Sequence, residues 1–343
     1  MKLPFSFGTN LLFRLVFPGM ILAAAAAPGI EALLRALAIP EPVDPLTYIP
    51  VMVVFFGWFV SLCDMPIYML YEGRRFWPDR LLRWGLRREE RRLRHLEKVA
   101  DRARRADDQR RFVEASVEMS RFPLDRNGEP YAAMPTRLGN LIHEYETYPR
   151  QKYGLDSVFF FYRLWVAIDD NLREELDSKQ ASVDGSLYLS FCLLLTALSF
   201  LAYALLQLLS GAVVPWVGPW WFSLLLPLPA MGCSALVYRL SLHAHAQYGE
   251  FYKALFDQHR TKLDFKDVLA YLAEATGDPQ LASLGVKEAN MAVWRYLRWH
   301  KVRLPGENSN RSFEEVVRLR ERDAENRVAG SAGERARSLL PQP

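Results

Sequence analysis

Four ionisable residues stand in or beside long apolar runs: Arg14, Asp64, Glu72 and Asp184. A charge inside a hydrocarbon layer is costly, so such a residue is neutralised by a partner, drawn to the interface, or used to move an ion or a proton. Asp64 lies eight residues before Glu72, which is ~12 Å along a helix. Arg14 stands at a comparable depth in the first apolar run. If the two runs are antiparallel helices joined by a short connection, the two charges are expected to meet, fixing the register or lining a charged constriction.

Other chemistry is sparse. His243 and His245 form a close histidine pair, but residues two apart on a helix point to different faces, so no metal site is expected. Asp169, Asp170, Glu174 and Glu175 read as a solvated helix face rather than paired acid and base. There is no phosphate-binding glycine loop, dinucleotide fingerprint, zinc-protease helix or nucleophile elbow. No cofactor and no enzymatic activity are expected. Asn310-Arg311-Ser312 matches a glycosylation acceptor but falls on the side assigned below to the cytoplasm.

The elements that must position these residues follow from hydropathy. The 343 residues are 50% hydrophobic, yet apolar runs alternate with densely charged ones, and the mean hydropathy of −0.06 conceals that segregation. A spanning helix needs ~20 apolar residues, and the runs near 9–30, 48–71, 186–210 and 214–240 qualify. The Ala-rich end of the first run resembles a signal-peptide cleavage region, but Arg14 inside the run favours a retained span. Small residues there permit close helix approach, and Pro18 is expected to bend it. Glu31–Pro40 reads as a short amphipathic segment, and Pro227 with Pro229 predicts a kink in the fourth run. Cys63, Cys192 and Cys233 all fall within apolar runs and read as small buried groups.

Basic residues orient the chain. Between Arg74 and Arg105 there are 13 Lys/Arg against 5 Asp/Glu, while the short connections between the paired runs carry almost no charge. Both termini and the 72–185 link are therefore expected in the cytoplasm of a bacterial plasma membrane. The fold class expected is all-α: a polytopic membrane protein with four transmembrane helices and a helical cytoplasmic domain built from the 72–185 link and the C-terminal region. The parts are 1–73, 74–185, 186–240, 241–310 and a disordered tail, 311–343.

Within the link, residues 79–120 read as helix with a break near Ala106-Asp107-Asp108 and a thin apolar stripe of Leu86, Leu93, Leu96, Ala100 and Ala103. Arg83, Arg87, Arg91 and Arg94 are expected to contact anionic headgroups. A nucleic-acid partner is not expected, because no base-stacking module accompanies these charges. Thr136 is placed to cap a helix from Arg137 to the residue before Tyr148-Pro149. Gly154 suits a turn, and Asp156 is placed to cap the aromatic helix 157–168. Phe160 and Trp165 of that helix either touch the inner leaflet or fill a cytoplasmic core; both readings remain open here.

Three blocks carry a resemblance. The end of the second run, DMPIYMLYEGRRFW, then PTRLGN, YP, YGLD and YRLW in the link, then YGEFYKALFDQHRTKL after the fourth run resemble a family of uncharacterised bacterial four-span membrane proteins. The likeness covers about residues 50–265 and singles out Thr136, Arg137, Gly139, Asn140, Tyr148, Pro149, Tyr153, Gly154 and Asp156. It implies the four-span architecture and no activity. The Arg-rich helix and Asp64 depart from the family pattern. The order of spans also looks like that of bestrophin-type anion channels, to which EGRRFW is faintly similar.

Three functions compete. A membrane-anchored interaction or signalling module is expected from helical, charged, motif-free cytoplasmic sequence, with a cytosolic protein as partner. An oligomeric channel or pore-type effector is suggested by the small-residue first run and Asp64. A membrane-surface enzyme ranks last.

Overall fold

The computed structural model describes residues 11–36, 45–125, 127–211, 217–303 and 311–322. The Pro40 and Pro42 turn, Trp216, Asn310 and the tail from 323 lie outside the described residues. The described chain is almost entirely helical. Three helical stretches are long and apolar enough to cross a membrane: Leu12–Leu34, Asp170–Ser210 and Trp220–Lys262. A fourth candidate is a broken pair, Tyr48–Leu62 with Asp64–Glu72, bent by 58°.

The chain divides into two compact units, one of residues 1–145 with 169–252, the other of residues 146–168 with 253–343. The division cuts the link instead of following the ends of the apolar runs. Most of the link, 74–145, belongs with the apolar helices.

In the first unit, a π-helical turn (Leu12–Val16) leads into α1 (Phe17–Ala36). The irregularity has an identifiable cause. Pro18 has no N–H to offer the Arg14 carbonyl, and Ser61 Oγ donates to that oxygen instead, at 3.2 Å. The helix then continues unbroken to Ala36, so the expected separate segment from Glu31 is part of α1. Helix α2 (Pro45–Leu62) packs closely on α1. A Cβ on Gly19 would collide with the Val53 carbonyl, and one on Gly57 with the Leu15 carbonyl. The small residues of the first run thus serve close approach, as the sequence suggested.

Cys63 leaves helical geometry and α3 (Asp64–Glu72) starts afresh, with Pro66 in its first turn, where a missing N–H costs least. Helices α4 (Asp79–Arg105) and α5 (Gln109–Met119) form a hairpin. The break falls where expected, with Asp107 at φ 55° and the Asp108 side chain accepting from the Arg111 N–H. The buried stripe of α4 is Gly85, Glu89, Leu93, Ala100 and Ala103. Glu89 is tolerated there because Arg92 reaches it at 3.3 Å and also pairs with Glu118.

Helix α6 (Arg137–Tyr153) outruns the expected end before Pro149. Pro149 deprives the Tyr145 carbonyl of its usual donor, but the turns on both sides of it are held independently. Gly154, at φ 72°, bonds Arg150 O; Leu155 N reaches Pro149 O; and Ser157 Oγ donates to Glu146 O at 2.6 Å. The helix α8 (Asp170–Ser210) is one continuous 41-residue element, its first turns polar as expected. Helices α9 (Trp220–Leu225) and α10 (Pro227–His259) meet at Leu226, which places the Pro227 break inside the fourth run. Of the cysteines, Cys192 is buried, Cys63 half-buried and Cys233 exposed on its helix, so only Cys192 is the core group expected of all three.

The second unit contains α7 (Ser157–Ala167), α11 (Lys266–Thr276) and α12 (Val286–Trp299). Asp156 caps α7 as expected, accepting from the Phe159 N–H at 3.0 Å. A two-residue pairing, β1 (Lys301–Val302) with β2 (Arg311–Ser312), closes the unit. Residues 313–322 are helical and Val316 is buried. The expectation of a disordered tail from 311 therefore fails for its first part, because Phe313 and Val316 have apolar surface to cover. Leu272, Leu281 and Val302 form a core patch with Phe313 and Tyr296 against it.

Candidate functional site

The intramembrane candidates come together in the first unit, with partners different from those expected. Arg14 does not pair with Asp64. Its Nη2 lies 2.5 Å from Asp184 Oδ2, its Nε 2.9 Å from the same oxygen, and its Nη1 3.5 Å from Asp177 Oδ1. Depth was not the fault of the expectation: the Ser61 bond to the Arg14 carbonyl sets Arg14 one turn from Asp64. Direction was. Asp177, Asp184 and Tyr188 are spaced seven and four apart, hence on one face of α8, and present two carboxylates to one guanidinium. Asp64 is met by the third member of that face, accepting from the Tyr188 hydroxyl at 2.7 Å.

The network extends to the fourth apolar stretch. Tyr68 donates its one proton to Asp184 Oδ1 at 2.6 Å, so its contact with His245 Nε2, at 3.4 Å, is a close approach of two acceptors rather than a second donation. His245 is fully buried, and its Nδ1 lies 2.7 Å from the Ser241 carbonyl. A carbonyl only accepts, so Nδ1 carries the proton and Nε2 is left as an acceptor. His243 is exposed, so the histidines do face apart. Beside this cluster Tyr71 Oη lies 3.0 Å from Ser190 Oγ, and Ser190 and Ser234 exchange hydrogen bonds across α8 and α10.

Glu72 ends α3, buried, and pairs with Arg74. Its carbonyl accepts from Thr136 Oγ1 at 3.1 Å, while the same hydroxyl caps α6 by accepting from the Gly139 N–H at 2.9 Å. Asn140 bonds Met134 through both ends of its amide, at 2.8 and 2.9 Å. A Cβ on Gly139 would strike the Glu72 carbonyl and Met134, and Gly73, at φ 76°, has Pro135 against it. The YEG and PTRLGN blocks, more than sixty residues apart, are thus two halves of one joint. His143 on the same helix is held below its ordinary value by burial first and the Arg74 charge second.

The remaining block residues form a separate cluster in the second unit. Asp257 accepts from Tyr148 at 2.9 Å and from Tyr153 at 2.6 Å, and Lys152 stands 3.4 Å away. Lys152 is pushed well above its ordinary range by its contacts with Tyr148 and Tyr153, Asp257 adding to them. Asn290 Nδ2 donates to the Tyr153 carbonyl, and Gly154 lies against the Lys287 backbone.

Of the residues assigned to lipid contact, Arg83, Arg87, Arg91 and Arg94 are exposed along α4. Phe160 is not available to lipid: it is 0% exposed, edge-to-face with Phe159 and tilted against Phe265. Helix α7 turns Phe160 and Leu164 inward because spacing by four places them on one face, and Trp165 is half-buried beside them. The exposed stripe is Val158, Tyr162 and Val166.

Sequence reasoning missed Asp177, Tyr188, Tyr68 and Asp257, and weighed His245 only as a metal ligand. The first two were within reach, through their helical spacing from Asp184. The others contribute across elements and leave no spacing signal. Fold and site together define a helical protein with apolar helices long enough to span a membrane, in which Arg14, Asp64 and Asp184 are held by partners from other helices. No family model, curated protein or solved structure matches the chain.

Proposed function

We propose that the chain is a four-span protein of the bacterial plasma membrane, both termini cytoplasmic, that anchors a helical cytoplasmic interaction module. The observation that carries this reading is the engagement of every ionisable side chain singled out in the apolar helices. Arg14 is held by Asp184 and Asp177, Asp64 by Tyr188, and Glu72 by Arg74. The first two of these fasten helices to each other and set their register, while the third neutralises a charge at a helix end. The second unit adds Val158, Tyr162 and Val166, 61–75% exposed in one row on a short helix, which suits contact with a protein.

One observation favours a pore instead. The second candidate span is broken beside Asp64, and helix breaks at membrane depth are tolerated where they line a cavity or are covered by protein. Proteoliposomes separate the two: the anchor reading expects ion flux no greater than that of empty vesicles. Flux abolished by Asp64→Asn sinks it. For the module, a photo-crosslinking residue at Tyr162 in the full-length chain is expected to give a discrete protein adduct in cells, lost when Val158 and Val166 become Asp. Adducts to lipid alone refute it. A single cysteine at Ala212 should label from outside and one at Gly128 should not.

A further inference from the structure

A cavity of about 590 Å³ opens in the first unit where α3, α4, α8 and α10 converge with the start of α6. Its volume is that of a ligand site, ~300–1,000 Å³. Arg88, Arg137 and Arg239 line it, and among the described residues none of the three has a carboxylate within ion-pair distance. The one carboxylate in the lining, Glu89, is already taken by Arg92. Arg137 is held below its ordinary value by burial first and then by the charge of Arg92; Glu89 and Glu118 act the other way without offsetting them, and Arg88 adds to the lowering. Arg88, lying over the Trp84 ring, Arg137 and Arg239 therefore line one cavity without a paired carboxylate, and an anion bound there would accept from them.

The apolar part of the lining says which kind of anion. It is made of Leu194 from α8 and of Met231 and Ala235 from α10. Met231, Ala235 and Arg239 are spaced by four, so they form one row ~12 Å long on one face of a candidate span. Met231 is 52% exposed on that face. An anion head at Arg239 would therefore have an apolar strip running directly away from it along the helix, open to the hydrocarbon. Trp77 and Trp84 complete the rim, and the Trp77 indole N–H donates to the Leu70 carbonyl at 2.9 Å. Tryptophan at this level suits a membrane–water interface. A soluble anion would use the arginines and leave the strip bare.

We infer that this cavity is a binding site for an anionic phospholipid, its phosphate held by Arg88, Arg137 and Arg239 and its acyl chains lying along Leu194, Ala235 and Met231. The site differs from the exposed face of Arg83, Arg87, Arg91 and Arg94, which would touch headgroups only diffusely. It joins the basic hairpin α4–α5 to the apolar helices through a lipid.

The test uses the full-length protein in a mild detergent. Phosphatidylglycerol, phosphatidylcholine, inorganic phosphate and glycerol phosphate are titrated in parallel, with retained ligand read by native mass spectrometry and stability by thermal unfolding. Saturable retention of phosphatidylglycerol over phosphatidylcholine is expected. The Arg137→Gln, Arg239→Gln double variant should weaken it about tenfold or more, while Arg110→Gln, outside the lining, should not. Ala235→Trp, which fills the strip and spares every charge, should also reduce retention. That variant decides the matter if the double variant does not fold. Equal retention of the two lipids overturns the inference, as does unchanged retention in Ala235→Trp. Stabilisation by phosphate or glycerol phosphate equal to that by lipid also overturns it, in favour of a soluble ligand.

Discussion

Replacing Arg14 by Gln should cost the protein more than replacing Asp184 or Asp64. The substitution leaves the Asp184 carboxylate, 7% exposed, with the Tyr68 hydroxyl in place of a guanidinium at 2.5 Å. Breaking a buried ion pair by removing one partner costs about 3–5 kcal/mol. The Arg14 side chain is 27% exposed, so water softens the loss, and the lower end, about 3 kcal/mol, is expected. Asp184→Asn should cost less, about 2 kcal/mol, because Arg14 keeps Asp177 at 3.5 Å. The double variant then removes both halves and should cost less than the sum, with a coupling of about 1–2 kcal/mol. Arg14→Gln with Asp64→Asn should couple less, and Asp64→Asn should couple with Tyr188→Phe. The assay is thermal unfolding of detergent-purified variants in one buffer, with monodispersity checked by size exclusion. If Arg14 and Asp184 add while Arg14 and Asp64 couple, the partner assignment is wrong and the simpler expectation from the sequence stands.

Gly139→Ala should destabilise by about 1–3 kcal/mol through overpacking, since the new methyl group would strike the Glu72 carbonyl and Met134; a variant melting with the wild type would refute the tight joint. His143 has a folded value below its ordinary 6.5, so the unfolded chain binds the proton more readily. Its contribution is complete above pH 6.5 and is lost as pH falls through the window below. His143→Gln should therefore flatten the decline in apparent Tm from pH 7 to 5, and an unchanged slope would show that His143 titrates normally.

Much of the architecture is legible without coordinates because it depends on local chemistry. Hydropathy marks the apolar helices, Thr136 and Asp156 mark caps that the structure uses, and the Ala106-Asp107-Asp108 break follows from the ~60 Å that an unbroken helix would run. Each of these is decided by residues within a turn or two of one another. Pro149 shows the limit of such rules: it lies inside a helix because Gly154 fastens the turn after it and Ser157 the turn before it, both from beyond the expected boundary.

Partner choice was not legible. Equal depth put Arg14 and Asp64 together on paper, yet a side chain's direction depends on helix rotation, and α8 offers Arg14 two carboxylates on one face and Asp64 a hydroxyl. Phe160 had the composition of a lipid contact and the position of a core residue, and only the packing against Phe265 decides between them. Likewise, the YEG and PTRLGN blocks read as separate signatures until Thr136 is seen bonded to the Glu72 carbonyl. The sequence by itself determined where the helices are and which residues cap them, because those depend on neighbours along the chain. Which charge meets which, and which aromatic is covered, was decided by tertiary structure, because those depend on helix rotation and on segments a hundred or more residues away.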